Sequence, residues 1–356
     1  MAGLNLTRTA FFSRKLIVYG SLGLVAVSVL IFLFGIFVNV LKQLNPPPPK
    51  PPTKGFGRLQ DISFPKQSDV GEFTFTLEMP EGKLPDMPNQ AKVYFIPQPS
   101  SGFLNLNSAR QNAAGIGFTD NPRKVNDTTY EWSAGNGRSL SINIITGDLS
   151  YSLDLLANPD ILKNPRLLSP DEALQAARSF LSSARSLPSD LSPTTFSYTY
   201  LKPFDSKLVP AISPSETQFI LVSFQRRDYD KFQVFPANPK KGPAWVLVSN
   251  SNDQNTKVLN AEYHFFPADE GRFETYPIKL INQAWKELTS GQYYLAHIDE
   301  QHGTQIAIRR VDFGYFEPGN TSEYLQPIYR FTGDNNFTAY VSALDPGSLV
   351  VEPTQN

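Results

Sequence analysis

The densest group of side chains able to move protons or hold a metal is His297-Ile298-Asp299-Glu300-Gln301-His302. A zinc-binding helix wants two histidines one turn apart and a third ligand elsewhere. Here the histidines stand five positions apart, between the end of one helical pattern and the start of a strand, so the stretch reads as a polar loop. His264 is the third and last histidine, and the chain has no cysteine. That excludes disulfides, thiolate metal sites, iron–sulfur clusters and cysteine nucleophiles together. Asp228 and Asp230 flank Tyr229 beside Arg226 and Arg227, which reads as a solvated loop. No nucleophile elbow, phosphate-binding loop or dinucleotide fingerprint occurs, and Gly135-Asn136-Gly137 is a tight turn. The expectation is therefore no catalytic residue, no metal ligand, no cofactor and no enzymatic activity. An extracytoplasmic hydrolase using carboxylates such as Asp299 and Glu300 stands as an alternative, because paired carboxylates leave no sequence signature.

The elements that would carry these residues fall into three similar stretches after residue 60. In the first, Phe73, Phe75 and Leu77 alternate with threonines as in a half-buried strand, and residues 93–96 make a second strand. Ser108 can cap a short helix through Ala109 and Ala113 that Gly115 would end. Strands follow at 129–132, 140–145 and 149–153. The second stretch opens on Ser169-Pro170-Asp171-Glu172, which supplies a capping hydroxyl, a proline at the first helical position and a glutamate at the third. Ala173, Leu174, Ala177, Phe180, Leu181 and Ala184 then recur at helical spacing, and strands are expected at 196–200, 219–224, 245–248 and 258–266. In the third, Pro277 would start a helix along Ile278, Ile281, Trp285 and Leu288, capped by Gly291. Strands at 306–316, 324–331 and 337–344 come after it. A helix followed by antiparallel strands, about three times over, predicts an α+β fold with a helix packed on each sheet. Uneven helix spacing excludes a regular solenoid.

Residues 16–41 carry no charge and are bracketed by Arg14 and Lys15 on one side and Lys42 on the other. A bilayer core needs about 20 apolar residues in a helix, and this run exceeds that. Leu16 and Leu41 mark its ends, and Gly20 and Gly23, with Ser21, Ala26 and Ser28, are small enough for close helix packing. The run is too long for the apolar region of a cleaved signal peptide. A short basic tail before a first apolar helix favours a cytoplasmic N-terminus with the rest of the chain outside, although Lys42, Lys50, Lys54 and Arg58 nearly balance the count. Pro46 to Pro49, Pro51 and Pro52 predict a stiff polyproline spacer. The expected layout is a cytoplasmic tail at 1–15, a transmembrane helix at 16–41 and a proline-rich stalk at 42–60. Three α+β modules follow at 61–165, 166–270 and 271–348, and a disordered tail at 349–356. Partners are the lipid bilayer and a membrane or envelope protein. Net charge of −1 gives no field for nucleic acid, which is excluded as a partner. Aromatic residues make up 12 % and most fall at alternating strand positions, as core. Tyr293-Tyr294 and Phe265-Phe266 would line a groove if the domain bound wall glycan or peptide, the rival reading.

Residues 278–344 combine an amphipathic helix with Ala284-Trp285 and Gly291, then Val311-Asp312-Phe313-Gly314-Tyr315-Phe316, then Gln326-Pro327-Ile328-Tyr329-Arg330-Phe331 and Phe337-Thr338-Ala339-Tyr340-Val341-Ser342-Ala343-Leu344. This resembles the C-terminal region of YycH/YycI-type membrane-anchored regulators, whose modules are similar to PepSY domains. The hairpin at 140–151, with its Thr146-Gly147-Asp148 turn, is similar to the closing hairpin of a PepSY module. The resemblance covers about a fifth of the chain in detail, and residues 205–235 depart from it. It implies PepSY-like modules, a bacterial source and a non-catalytic extracytoplasmic domain that restrains, senses or scaffolds a membrane partner. Its motifs are apolar and turn residues, which speak to fold more than to activity.

Overall fold

The computed structural model describes residues 6–44, 50–67, 71–97, 106–184, 188, 190–191, 196–205, 207–300, 303–317 and 322–350. They fall into two units, Met1–Pro51 and Pro52–Asn356. The first unit is one helix, α1 (Leu6–Leu44), with an apolar span over Phe11–Leu41. A helix that is apolar all round belongs in a protein core or a bilayer, and no part of this span is buried by protein. At 1.5 Å per residue it extends for about 46 Å, more than the ~30 Å of a hydrocarbon core. Two of its hydroxyls are satisfied within the helix, Ser21 donating to the Val18 carbonyl at 3.0 Å and Ser28 to that of Leu24 at 2.9 Å. Lipid offers no partner to a free hydroxyl, so this arrangement suits a spanning segment.

The second unit contains, in chain order, β1 (Thr74–Leu77), β2 (Gln90–Phe95), α2 (Leu106–Gly115), β3 (Arg123–Lys124), β4 (Thr129–Ala134), β5 (Arg138–Asn143), β6 (Leu149–Leu153), α3 (Asp160–Lys163) and α4 (Pro170–Ser183). Then come β7 (Phe196–Phe204), β8 (Lys207–Pro210), β9 (Phe219–Phe224), β10 (Val234–Pro236), β11 (Ala244–Ser249), α5 (Gln254–Lys257), β12 (Val258–Tyr263) and β13 (Asp269–Pro277). The chain closes with α6 (Ile281–Thr289), β14 (Tyr294–His297), β15 (Gln305–Glu317), β16 (Tyr324–Leu325), β17 (Pro327–Gly333) and β18 (Thr338–Ser342). The fold is mixed α+β, with an apolar helix at its N-terminus.

Nine strands form one antiparallel sheet in the order β3-β4-β5-β6-β12-β11-β9-β7-β8. Its apolar face carries Trp132, Leu140, Tyr151, Val222, Val246 and Ala261. On that face lie α2 and α4, through Ala109, Ala113, Ala173, Ala177 and Leu181. Alanines at the contact let both helices sit close to the strands. α4 begins as its residue types dictate: the Ser169 hydroxyl accepts from the Glu172 N–H at 3.2 Å and Pro170 fills the first turn. Gly115 fits α2 against α4, since a Cβ there would overlap the Ser183 carbonyl.

A six-stranded sheet runs β1-β15-β17-β18-β14, with β10 also pairing the long strand β15. β1 and β10 are parallel to β15. α6 packs on this sheet through Ala284 and Leu288, with Trp285 against Phe331. The third sheet is β13-β2-β16.

Pairing cuts across the three stretches expected from the sequence. Strands from 123–153 and 196–263 make one sheet, joined where Tyr151 opposes Ala261. β1 and β2 pair instead with strands beyond residue 268. The boundaries at 165/166 and 270/271 thus do not separate sheets, because burial of the central strands on both faces recruits partners far along the chain. Pro277 ends β13 rather than starting a helix; Ile278 bridges to Leu344, and α6 begins at Ile281. The expected stalk gives way to folded chain at Thr53, whose N–H bonds the Thr275 hydroxyl at 2.9 Å, and Leu59 is 1 % exposed. Leu349, placed in the expected tail, bridges Leu59, and the Val350 N–H donates to the Leu59 carbonyl at 2.8 Å. Residues 46–49 and 351–356 lie outside the described residues.

Candidate functional site

Two features of the second unit combine charge with geometry. One is a buried ionic centre around Arg226, which follows the fully buried strand β9 and has a side chain with no exposed surface. Its Nε donates to Glu317 Oε2 at 2.5 Å and its Nη2 to Glu317 Oε1 at 2.9 Å, a two-pronged pair. Nη1 reaches Asp190 Oδ2 at 3.1 Å, and Nη2 also donates to the Phe266 carbonyl at 2.7 Å. The Tyr229 hydroxyl donates to Asp190 Oδ2 at 3.0 Å, and the Phe265 ring lies 4.4 Å beneath the guanidinium. Burial pulls the guanidinium pKa down, but Glu317, Tyr229 and Asp190 together outweigh burial and hold Arg226 charged. Burial likewise pushes the Glu317 carboxyl up, and Arg226 pulls it part of the way back. Glu317 ends β15, so this centre ties the nine-stranded sheet to the six-stranded one. A small hollow of about 160 Å³ adjoins it, lined by Gln225, Arg226, Phe235 and Arg330, but every polar edge of the guanidinium is already taken, and the centre reads as a structural clasp.

Residues 226–230 are thus only in part the solvated loop expected from sequence: Asp228 and Asp230 are exposed. Arg226 and Tyr229 are buried, while Arg227 at the surface takes Asp190 Oδ1 at 2.6 Å and pairs with Glu270. The two carboxylates that keep Arg226 in the interior stand 36 and 91 positions away, so nothing local announces them. One signal was present: an arginine two positions after the almost wholly apolar Phe219–Phe224 run.

The second feature is an open polar groove along α4. One end, of about 280 Å³, lies between Gly115 and Gly117 at the end of α2, Ser179 and Ser183 on α4, and Gln254 to Val258. Arg138 and Tyr151 form its floor and wall. A neighbouring hollow of about 350 Å³ shares Ala176, Ser179, Gln254 and Lys257 and continues the groove to Glu172 and Asn252. Lys257 is 8 % exposed, and its Nζ lies 2.5 Å from Glu172 Oε1. Arg166 grips both Glu172 oxygens, at 3.0 and 2.8 Å. Burial opposes ionisation of Glu172, but the bonds from Arg166 and Lys257 win and hold its carboxyl below the usual range. Burial raises Tyr151 to about 12, so its hydroxyl keeps its proton at neutral pH. Sequence reasoning passed over this groove, because its residues are ordinary polar ones that meet only after the sheet has formed.

The residues singled out from sequence are dispersed. His297 ends β14, with Nε2 at 3.3 Å from Asp299 Oδ1, and Asn336 donates to Asp299 Oδ2 at 2.8 Å. Burial and the nearby Lys240 lower the His297 pKa. Glu300 is exposed, and His302 lies outside the described residues. Among the described residues no three histidine or carboxylate side chains converge as metal ligands. Phe265 and Phe266 are buried, and Tyr293 and Tyr294 pack on Phe75 and Phe337 and on Phe64 and Tyr340 respectively. None of the four lines the groove along α4. In α1, Leu16 is 78 % and Leu41 42 % exposed, and a Cβ at Gly20 or Gly23 would meet nothing within 4 Å.

No family model matches the chain, and no curated protein does. Among solved structures it is similar to an uncharacterized protein from Eubacterium rectale. That likeness has 11 % identity and a TM-score of 0.42, covering 74 % of this chain and 86 % of the other. A similarity this weak carries no argument about function.

Proposed function

We propose that the chain is a non-catalytic, single-pass membrane protein whose α+β domain lies outside the cytoplasm and binds or regulates a membrane or envelope protein. The observation that carries this reading is the apolar span of α1, which is long and apolar enough to cross a membrane. Burying it takes a solvent of lipid, and serines bonded within the helix remove the polar obstacle. The span is retained rather than cleaved, since its apolar run is twice as long as a signal peptide's. Folded structure resumes at Thr53, so residues 45–52, mostly proline, form the whole link. Eight residues reach at most about 28 Å. A tether so short keeps the domain close to the membrane and raises its effective concentration near other membrane proteins.

The finer reading is that its architecture derives from PepSY-like modules, as in YycH/YycI-type regulators. In support, α4 lies across a sheet that includes the β5–β6 hairpin, and α6 lies across one that includes β15, β17 and β18. Crosslinking in membranes followed by mass spectrometry tests the binding claim, comparing the full chain with one beginning at Thr53. Capture of a membrane protein by the full chain, lost or weakened without the anchor, is expected. Capture of wall fragments by both forms, with no membrane protein held by either, would refute it.

A further inference from the structure

Arg138 begins β5 and lines the end of the groove along α4 that lies beside α2. Among the described residues no carboxylate pairs with it; its Nε makes one long bond, 3.4 Å, to the Gly135 carbonyl, and its guanidinium lies 5.5 Å from the Phe118 ring. The nearby Asp154 carboxylate is turned to the Leu156 N–H, which it accepts at 2.8 Å. The helix ends that face the groove do not use the guanidinium either. In α2 the Ala113 carbonyl is taken by the Ile116 and Phe118 N–H groups, and the Ala114 carbonyl by that of Gly117. In α4 the Phe180 and Ser182 carbonyls are taken by the Ala184 N–H. A short way along the groove stands Lys257, and the single carboxylate there, Glu172, is already held on both oxygens by Arg166. Two cations, Arg138 and Lys257, thus line the groove with one anion that Arg166 already pairs, and the hydroxyls of Ser179 and Ser183 and the amides of Gln254 and Asn255 line the same space.

We propose that this groove binds a ligand bearing a carboxylate or phosphate group, with Arg138 as the principal contact and Lys257 as the second. A guanidinium with its Nη groups free offers the paired N–H geometry that both oxyanions accept. The hydroxyls and amides along the groove suit the polar body of such a ligand. This goes beyond the anchored-domain reading and does not need it: the groove would bind its anion whichever side of a membrane it faced.

The test is calorimetric titration of the full chain in a neutral detergent. The probes are glycerol 3-phosphate against glycerol, and N-acetylalanine against its amide. Binding of at least one anion in the millimolar range is expected, with no heat from either neutral counterpart. R138M should weaken that binding by about tenfold or more, the worth of one charge-assisted bond. K257Q, which leaves Glu172 paired with Arg166, should weaken it by a smaller factor. R110Q, at an exposed position on α2, should leave it unchanged. Binding of the phosphate alone, the carboxylate alone or both would each support an anion site and identify which group it prefers. Should R138M fail to fold, the K257Q result and loss of binding at high salt carry the same decision. No binding of either anion, or binding equal in the wild type and the folded variants, would overturn the proposal. Membrane sidedness is read by protease protection, so failure of one claim is distinguishable from failure of the other.

Discussion

Replacing Arg226 by methionine should be among the most damaging single changes in the domain. The guanidinium makes five polar contacts, to both oxygens of Glu317, to Asp190, to the Phe266 carbonyl and to the Tyr229 hydroxyl. Asp190 would keep Arg227 and Tyr229 as partners. Glu317, with a side chain 3 % exposed, would keep none of its present cation. An uncompensated buried charge of this kind costs about 3–5 kcal/mol, against the roughly 5–15 kcal/mol by which folded domains are stable. The double variant R226M/E317L removes the stranded charge and fills the space with apolar atoms, so it should be more stable than R226M alone. Urea unfolding of the chain from Thr53, followed through Trp132, Trp245 and Trp285, would measure all three proteins. A loss below about 1 kcal/mol for R226M, or a double variant no more stable than R226M alone, would refute the view that this clasp joins the sheets.

Gly115→Ala should destabilise by about 1–3 kcal/mol in the same assay, because the added methyl meets the Ser183 carbonyl; the usual gain from alanine in a helix would appear instead if α2 could shift. His264 accounts for a pH dependence: its bond to Asp148, at 3.2 Å, raises its pKa despite burial. A raised folded-state value means stability that is fully present below the unfolded value of about 6.5 and is lost as pH rises through the folded one. Melting temperatures of wild type and H264Q should therefore converge as pH rises from 6 to 8, and a constant gap would contradict the assignment.

Local structure was largely legible in the sequence, because local rules decide it. Ser169-Pro170 started α4, Ala109 and Ala113 marked the buried side of α2, and the run 219–224 was a strand to the residue. Pro277 misled, since a proline suits the end of an edge strand as well as a first helical turn. Strand partners were not legible. Whether β1 joins β6 or β15 depends on which apolar faces are covered last, and an alternating Phe73-Phe75-Leu77 pattern fits either. The ionic clasp and the groove were hidden for the same reason: Asp190, Arg226 and Glu317, or Arg138, Ser179 and Lys257, become neighbours only through those long-range pairings. The apolar helix at the N-terminus needed no pairing at all, which is why its composition alone announced it.

The central claim is that α1 spans a membrane and that everything beyond Lys42 lies outside the cytoplasm. Protease added to intact cells or spheroplasts, with an epitope tag placed after residue 356, tests it directly. The account predicts loss of the C-terminal tag and digestion of the domain without permeabilisation, while the anchor stays in the membrane fraction. A domain that stays protected until the membrane is opened, or a mature chain found free of the membrane without residues 1–44, would contradict it.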